Sequence, residues 1–259
     1  MKILCDTHSH TIASTHAYST VHDYIFAAKK NGLQLFSITD HASTMPDAPH
    51  PWHFGNMHVI PRVVDGIAIL RGIEANILTT PFTQAKNRNV DLTDTLLSHL
   101  DFAIASFHEP VFPPASLKEN TRALIKSMES GVIQIIGHPG NPNYPVDQEE
   151  IVRAAKDNNV LLEINNSSFT HSRQGSAPFC SSLIELVDKH NGKISLGSDA
   201  HISFQVGIFD QAIEKLIALN FNEKNIISKT PERFVSFLGE HGKPVAKELA
   251  PWLTILNNV

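Results

Sequence analysis

Two imidazoles stand two positions apart in Asp6-Thr7-His8-Ser9-His10, and His16 follows shortly after. The same spacing recurs in Asp199-Ala200-His201, behind Gly197-Ser198. Residues two apart on an extended segment face the same side, so each pair can grip one ion. His41, Glu74, His108 and His138 each lie at or just beyond the end of a short apolar run. Together these are seven imidazoles and two carboxylates. A catalytic zinc takes about three protein ligands and keeps one position open for water. The set therefore suits two or three ions, with a carboxylate shared between them. Clustered divalent ions suit phosphoryl chemistry, because they ionise water near neutral pH and stabilise both the attacking and the leaving oxygen.

The elements that position these residues are legible as an alternation. Apolar, β-rich runs occur at 3–5, 35–38, 68–73, 102–105, 133–136, 161–164 and 194–196. Segments of helical period, at 21–31, 117–130, 147–158, 180–191 and 205–219, lie among them. Asp147 with Glu150 reads as a capping-box variant, and Gly32, Gly131 and Gly192 stand where C-terminal caps belong. Strand–helix alternation implies a parallel sheet. Seven repeats suit a closed barrel, whose strand ends converge on one face. Six of the seven runs lead into a His, Asp or Glu there, and the remaining one leads into Asn165 and Asn166. Two stretches fall outside the repeat. Residues 42–58, with three prolines, Trp52 and three histidines, read as a long loop, and residues 77–91 read as a polar, irregular insertion. With no linker or tandem repeat, 1–259 reads as one domain.

The chain has 15 histidines. His22, His99, His190 and His241 read as surface or helix-packing residues, whereas His50, His53, His58 and His171 lie in loops that could touch a substrate. Asp6 and Asp40 read either as carboxylates that orient ligand imidazoles or as turn residues. Phosphate oxygens not held by metal want a cation or amide donors. Arg173, in the polar loop 165–175, is the first candidate and Arg62 the second. Arg71 faces away from the strand-end mouth by strand alternation.

Composition narrows the class. A net charge of −5 without a basic cluster disfavours nucleic acid but not a small anionic substrate. The two cysteines, Cys5 and Cys180, are isolated, which argues for a reducing cytoplasm. No apolar run approaches the roughly 18 residues of a membrane span, and the N-terminus does not read as a signal peptide.

The motifs Asp6-Thr7-His8-Ser9-His10, Thr39-Asp40-His41, Gly72-Ile73-Glu74, His138-Pro139 and Gly197-Ser198-Asp199-Ala200-His201 resemble the PHP (polymerase and histidinol phosphatase) superfamily. Ala13-Ser14-Thr15-His16-Ala17-Tyr18-Ser19-Thr20, Arg71-Gly72-Ile73-Glu74-Ala75-Asn76 and Glu163-Ile164-Asn165-Asn166-Ser167-Ser168 are similar to its YcdX-like phosphatases. The resemblance covers nearly the whole chain. It implies an α/β fold, a distorted (βα)7 TIM-like barrel, with a trinuclear metal centre, usually zinc. Carried over residue by residue, His8, His10, Glu74 and Asp199 hold a first ion. Glu74 bridges to a second ion held by His108 and His138, and His16, His41 and His201 hold a third. Manganese and iron also accept such ligands. The implied activity is that of a metal-dependent phosphatase acting on a small phosphorylated substrate, a metal-bound hydroxide attacking phosphorus. A homotrimer is the implied assembly. Two alternatives are a metal-dependent amidohydrolase and a non-catalytic metal-binding regulatory module. The first commonly places a carboxylated Lys at the end of strand four, where this chain has His108. Segment 77–91 is longer than the family pattern, which bears on substrate choice.

Overall fold

The computed structural model describes all residues of 1–259 except Thr83, Ala85, Asn87, His171, Asn257 and Val259. Its first half runs β1 (Cys5–Asp6), α1 (Val21–Lys30), β2 (Leu35–Ile38), α2 (Trp52–Asn56), β3 (Val63–Val64), β4 (Ile67–Arg71), β5 (Glu74–Phe82) and β6 (Arg88–Val90). Then come α3 (Asp94–Leu97), β7 (Ile104–Ser106), α4 (Leu117–Glu129), β8 (Ile135–Ile136), α5 (Gln148–Asp157), β9 (Leu161–Asn165) and α6 (Ser176–Lys189). The last elements are β10 (Ile194–Gly197), α7 (Asp210–Ala218), α8 (Pro231–Glu240), α9 (Val245–Glu248) and α10 (Ala250–Leu256).

The strands form two sheets, ordered β1-β2-β4-β3 and β10-β9-β8-β7-β5-β6. All pairings are parallel except those of the edge strands β3 and β6. Two seams join the sheets. At one, β4 breaks at Gly72 and continues as β5, while Gly72 N donates to Ile38 O (2.8 Å) and Glu74 N to Asp40 O (3.1 Å). Only a glycine fits this break, since a Cβ there would lie 2.8 Å from Thr39 Cγ2 and 2.9 Å from Phe102 Cε1. At the other, Thr7 N donates to Leu196 O (3.4 Å), Asp199 N to His8 O (2.9 Å) and His10 N to Ala200 O (2.8 Å). With β4 and β5 counted as one broken stave, the result is a distorted seven-stave (βα)7 barrel.

Strand alternation sorts the apolar residues into two clusters. Phe36, Ile69, Ala105, Ile136, Leu162 and Leu196 pack outward with the surrounding helices. Leu35, Leu70, Phe102, Ile104, Ile135 and Leu161 cluster inside with Phe234, Phe237 and Leu238 of α8 and Leu249. Those C-terminal helices floor the barrel, Phe102 meeting Phe234 edge-on at 5.4 Å between ring centroids. Each such fully buried side chain contributes about 1.5–3 kcal/mol. One step along the strands, the same parity delivers Ser37, Gly72, Ser106, Gly137, Glu163 and Gly197, a small or polar layer. One step further it delivers Glu74, His108, Asn165 and Asp199, and two steps beyond Ser37 it delivers His41.

Several expectations are corrected. The segment 77–91 is not a loop throughout: its described residues include the rest of β5 and all of β6, paired antiparallel with Ile77 opposite Val90, Phe82 opposite Arg88 and a register shift between. The loop 42–58 contains α2 and a 3-10 turn, Met57–Val59. The helix expected at 205–219 starts only at Asp210, because Gly207 adopts φ +73 and interrupts it. Asp147 does cap α5, accepting from Glu150 N at 3.0 Å. Gly32 and Gly131 take left-handed φ values of 72 and 71, but at the end of α6 that position falls to Asn191 rather than Gly192. The periodic segments do not extend to α8–α10. Among the described residues, no helix is long and apolar enough to cross a membrane.

Candidate metal centre

Glu74 opens β5 at the strand-end face, buried to 1% exposure. Five imidazoles surround its carboxylate. Oε1 lies 3.0 Å from His138 Nε2 and 3.4 Å from both His8 Nε2 and His108 Nε2. Oε2 lies 3.1 Å from His41 Nδ1 and 3.4 Å from His10 Nε2. Asp199 Oδ1 approaches His10 Nε2 at 3.3 Å and His8 Nε2 at 3.6 Å. His16 and His201 complete the cluster from the side, their rings 4.5 Å apart and 5.2 and 6.3 Å from that of His41. Both His138 (φ 32) and Asp199 (φ 55) hold the left-handed backbone region, strain of a kind that concentrates at functional sites.

The donor set fits divalent cations. Ligand atoms about 2.0–2.1 Å from a tetrahedral zinc stand about 3.3 Å from one another, and the contacts above span 3.0 to 3.6 Å. His8 Nε2 and His10 Nε2 lie only 3.1 Å apart, and His10 Nδ1 and His41 Nδ1 are buried without a hydrogen-bond partner. Among the described residues, three triads bring one donor atom each within 4.8 Å: His8–His10–Glu74, His41–Glu74–His108 and His10–His41–His201. In the last triad His10 stands where the sequence expectation has His16, which is half exposed and turned toward Asp47. Burial alone would raise Glu74, yet the surrounding imidazoles, with the field of His8 foremost, outweigh it and hold the carboxyl well below its usual range. Burial, with His41 and His201 alongside, pushes His10 well down and leaves it neutral, as a ligand must be.

Orienting partners lie one layer behind. His8 Nδ1 donates to Glu163 Oε1 at 2.8 Å, and Glu163 Oε2 accepts His138 N at 2.8 Å. His108 Nδ1 donates to Asn76 Oδ1 at 2.7 Å, His201 Nδ1 to the Asp199 carbonyl at 2.9 Å, and His16 Nδ1 to Asp47. Glu163, Asn76 and Asp47 are absent from the sequence-derived set. Strand parity was the available signal for Glu163, which shares a face with Leu161 and Asn165. A Cβ at Gly197 would lie 2.1 Å from Glu163 Oε1, so that glycine makes room for the carboxylate. Asp6 and Asp40 bond to none of the seven candidate ligand imidazoles. Asp6 accepts the backbone N–H groups of His8, Ser198 and Gly207, and burial pushes it up to about 6. Asp40 holds Thr11 and Ser14 at the base of the His16 loop and also takes His53 Nε2 at 3.0 Å.

A cleft of about 420 Å³ opens over the cluster, lined also by Met45, Glu109, Ser167, Ser172, Arg173 and Gln205. Arg173 Nη2 donates to Asp199 Oδ2 at 2.7 Å, which aims the guanidinium at the mouth. Arg62 does not reach the cleft. It forks onto Asp101 (2.6 and 2.9 Å) and binds Glu248 (2.6 Å), fastening the C-terminal helices to the floor. Arg71 donates to the carbonyls of His58 and Ile60, away from the mouth. His50, His53 and His58 do not line the cleft, their partners being Trp52 N, Asp40 and Gly55 O. His190 and His241 bond to Glu149 and the Asn159 carbonyl. His171 lies outside the described residues.

A parallel barrel that gathers histidines and carboxylates at its strand ends is built as the barrel hydrolases are, with the reactive face opposite the floor. Within that class, the PHP-domain pattern matches residues 6–167, and the chain belongs to the PHP family. It is 48% identical over 250 residues to a "Probable phosphatase" of Shewanella piezotolerans, across 96% of this chain and 99% of that one. It is 50% identical over 245 residues to a "Probable phosphatase" of Yersinia enterocolitica, across 95% and 98%. A histidinol phosphate phosphatase of Lactococcus lactis, solved with zinc, L-histidinol and phosphate, shares the fold at a TM-score of 0.64. The match spans 86% of this chain and 95% of that one, at 18% identity.

Proposed function

We propose that the cleft holds three divalent metal ions, zinc in the first instance and manganese or iron as alternatives, and hydrolyses small phosphate monoesters. The chain is a phosphoric monoester hydrolase, as its family and its near relatives indicate. The observation that carries the metal reading is the ring of five imidazoles around the buried Glu74 carboxylate, 3.0 to 3.4 Å away. His8, His10, Glu74 and Asp199 would hold one ion, Glu74 with His108 and His138 a second, and His16, His41 and His201 a third. When bound, the ions would supply hydroxide near neutral pH as the nucleophile and neutralise the phosphoryl oxygens.

The chain's own residues then bind and orient. Arg173 holds a phosphate oxygen through one guanidinium edge while Asp199 steadies the other. The hydroxyls of Ser167 and Ser172, which bond each other at 2.8 Å, stand on the same rim. The barrel floor keeps water from entering behind the cluster. We place the enzyme in the cytoplasm, as a homo-oligomer, with Cys5 and Cys180 as free buried thiols.

Elemental analysis, paired with p-nitrophenyl phosphate hydrolysis before and after chelation, tests the reading. Two to three metal equivalents and chelator-sensitive turnover support it; less than one equivalent after reconstitution sinks it. Arg173→Ala is expected to raise KM or lower kcat, and unchanged kinetics would remove Arg173 from the site.

A further inference from the structure

The β5–β6 hairpin, set apart in the sequence as an insertion, ends on a carboxylate with more partners than a turn needs. Asp91 is 1% exposed. Its Oδ1 accepts Asn76 N at 2.8 Å. Its Oδ2 accepts Asn76 Nδ2 at 2.8 Å, Thr44 N at 3.0 Å and Thr44 Oγ1 at 2.7 Å. Asn76 Nδ2 also donates to Ala42 O at 3.2 Å. Both hydrogens of the Asn76 amide are thus committed, one to Asp91 and one to Ala42. The amide cannot flip without setting its oxygen against two acceptors. Its Oδ1 must face His108 Nδ1, 2.7 Å away, and can only accept.

We infer that Asp91 and Asn76 are positioning residues that lock the His108 imidazole with its proton on Nδ1 and its Nε2 lone pair toward Glu74. The hairpin and the 42–58 loop thereby set the strength of one metal ligand. The Nε2 lone pair and Glu74 Oε1 lie 3.4 Å apart. Two acceptors at that distance repel unless a cation lies between them, so the lock raises the site's affinity for a cation. This inference rests on the proposed role of His108 as a ligand. It goes beyond that role in tying ligand strength to two segments outside the barrel repeat, one of which, the 42–58 loop, also lines the cleft through Met45.

Nitrogen-15 NMR of the metal-free protein under mildly alkaline conditions reads the tautomer directly, and zinc titration against a competing chelator reads the affinity. In the parent chain His108 is expected as a single Nδ1–H tautomer. In Asn76→Ala it becomes a mixture, and one zinc equivalent loosens by about 10–100-fold, the range for lost orienting partners, while the others keep their affinity. Asp91→Asn keeps the shape but sets an amide N–H against one of the donors, so it shifts both readouts the same way by a smaller factor. Thermal melts of both variants separate a local effect from loss of the fold. An unchanged tautomer in Asn76→Ala overturns the inference, as does equal loosening of every ion. If the parent chain binds no zinc, the metal reading fails, while the tautomer measurement still decides the Asp91–Asn76–His108 linkage.

Discussion

The two ends of the barrel are made from the same strands and solve opposite problems. At the floor, inward residues are Leu35, Leu70, Ile104, Ile135 and Leu161, sealed by Phe234, Phe237 and Leu238. At the mouth, a few residues along, the inward positions carry His41, Glu74, His108 and Asp199. The floor gains free energy simply by excluding water. The mouth loses it, because carboxylates and imidazoles that are desolvated together are stable only when their charges are paired and hydrogen-bonded. Between them lies a layer of glycines and serines around Glu163, thin enough for the orienting carboxylate to stand under the ligands. Stability and reactivity are thus separated along the strand axis rather than between domains.

The largest effect expected of any single change is at the mouth. Glu74→Gln removes the charge shared by five imidazoles. A loss of several kcal/mol of charge stabilisation lowers phosphatase turnover by about 10³-fold or more, with metal equivalents falling in elemental analysis. If turnover and metal content both survive, the mouth is not what this comparison makes it. Phe237→Ala at the floor is expected to cost about 3–5 kcal/mol of unfolding free energy, read by urea titration. The surviving folded enzyme should keep its kcat, and a matching collapse of kcat would erase the division between the ends. Glu163→Gln, in the middle layer, should weaken zinc binding by about 10–100-fold with a smaller change in melting temperature. Arg62→Ala should lower stability by about 2 kcal/mol, as Asp101 loses its charged partner, and leave kcat/KM unchanged. A kinetic defect there would mean that the floor communicates with the cleft.

The repeat and the strand-end residues were legible because period-two and period-3.6 patterns alternate openly and the histidines follow apolar runs. What escaped the sequence was contact at long range. Glu163 sits inside the run Leu161-Leu162-Glu163-Ile164-Asn165 and looks like an ordinary strand residue until His8, 155 positions away, is seen to bond it. For Asp6 and Asp40 the sequence leaves two roles open, orienting a ligand imidazole or holding a turn; the fold turns Asp6 to backbone amides and Asp40 to loop hydroxyls, a backbone amide and His53, none of them a ligand imidazole. Arg62 is charged and follows a long loop, and only the fold reveals that Asp101 and Glu248 occupy it. The hairpin at 77–91 was hidden by its bulged register, which breaks strict alternation. The helices α8–α10 escaped because their apolar faces are plugs for the barrel rather than links between staves.

The seam between the first and last staves has a consequence for how the chain acquires its shape. Thr7 Oγ1 donates to Leu196 O across 189 positions of sequence, so the first stave has no partner on that side until β10 has been made. Contacts of such long sequence separation form late, after the entropy of closing the loop has been met. On a ribosome, β1, which leads into His8 and His10, is made before β10 and completed only when β10 follows. Until β10 arrives it is an open sheet edge, the kind of surface that chaperones cover and neighbouring chains pair with.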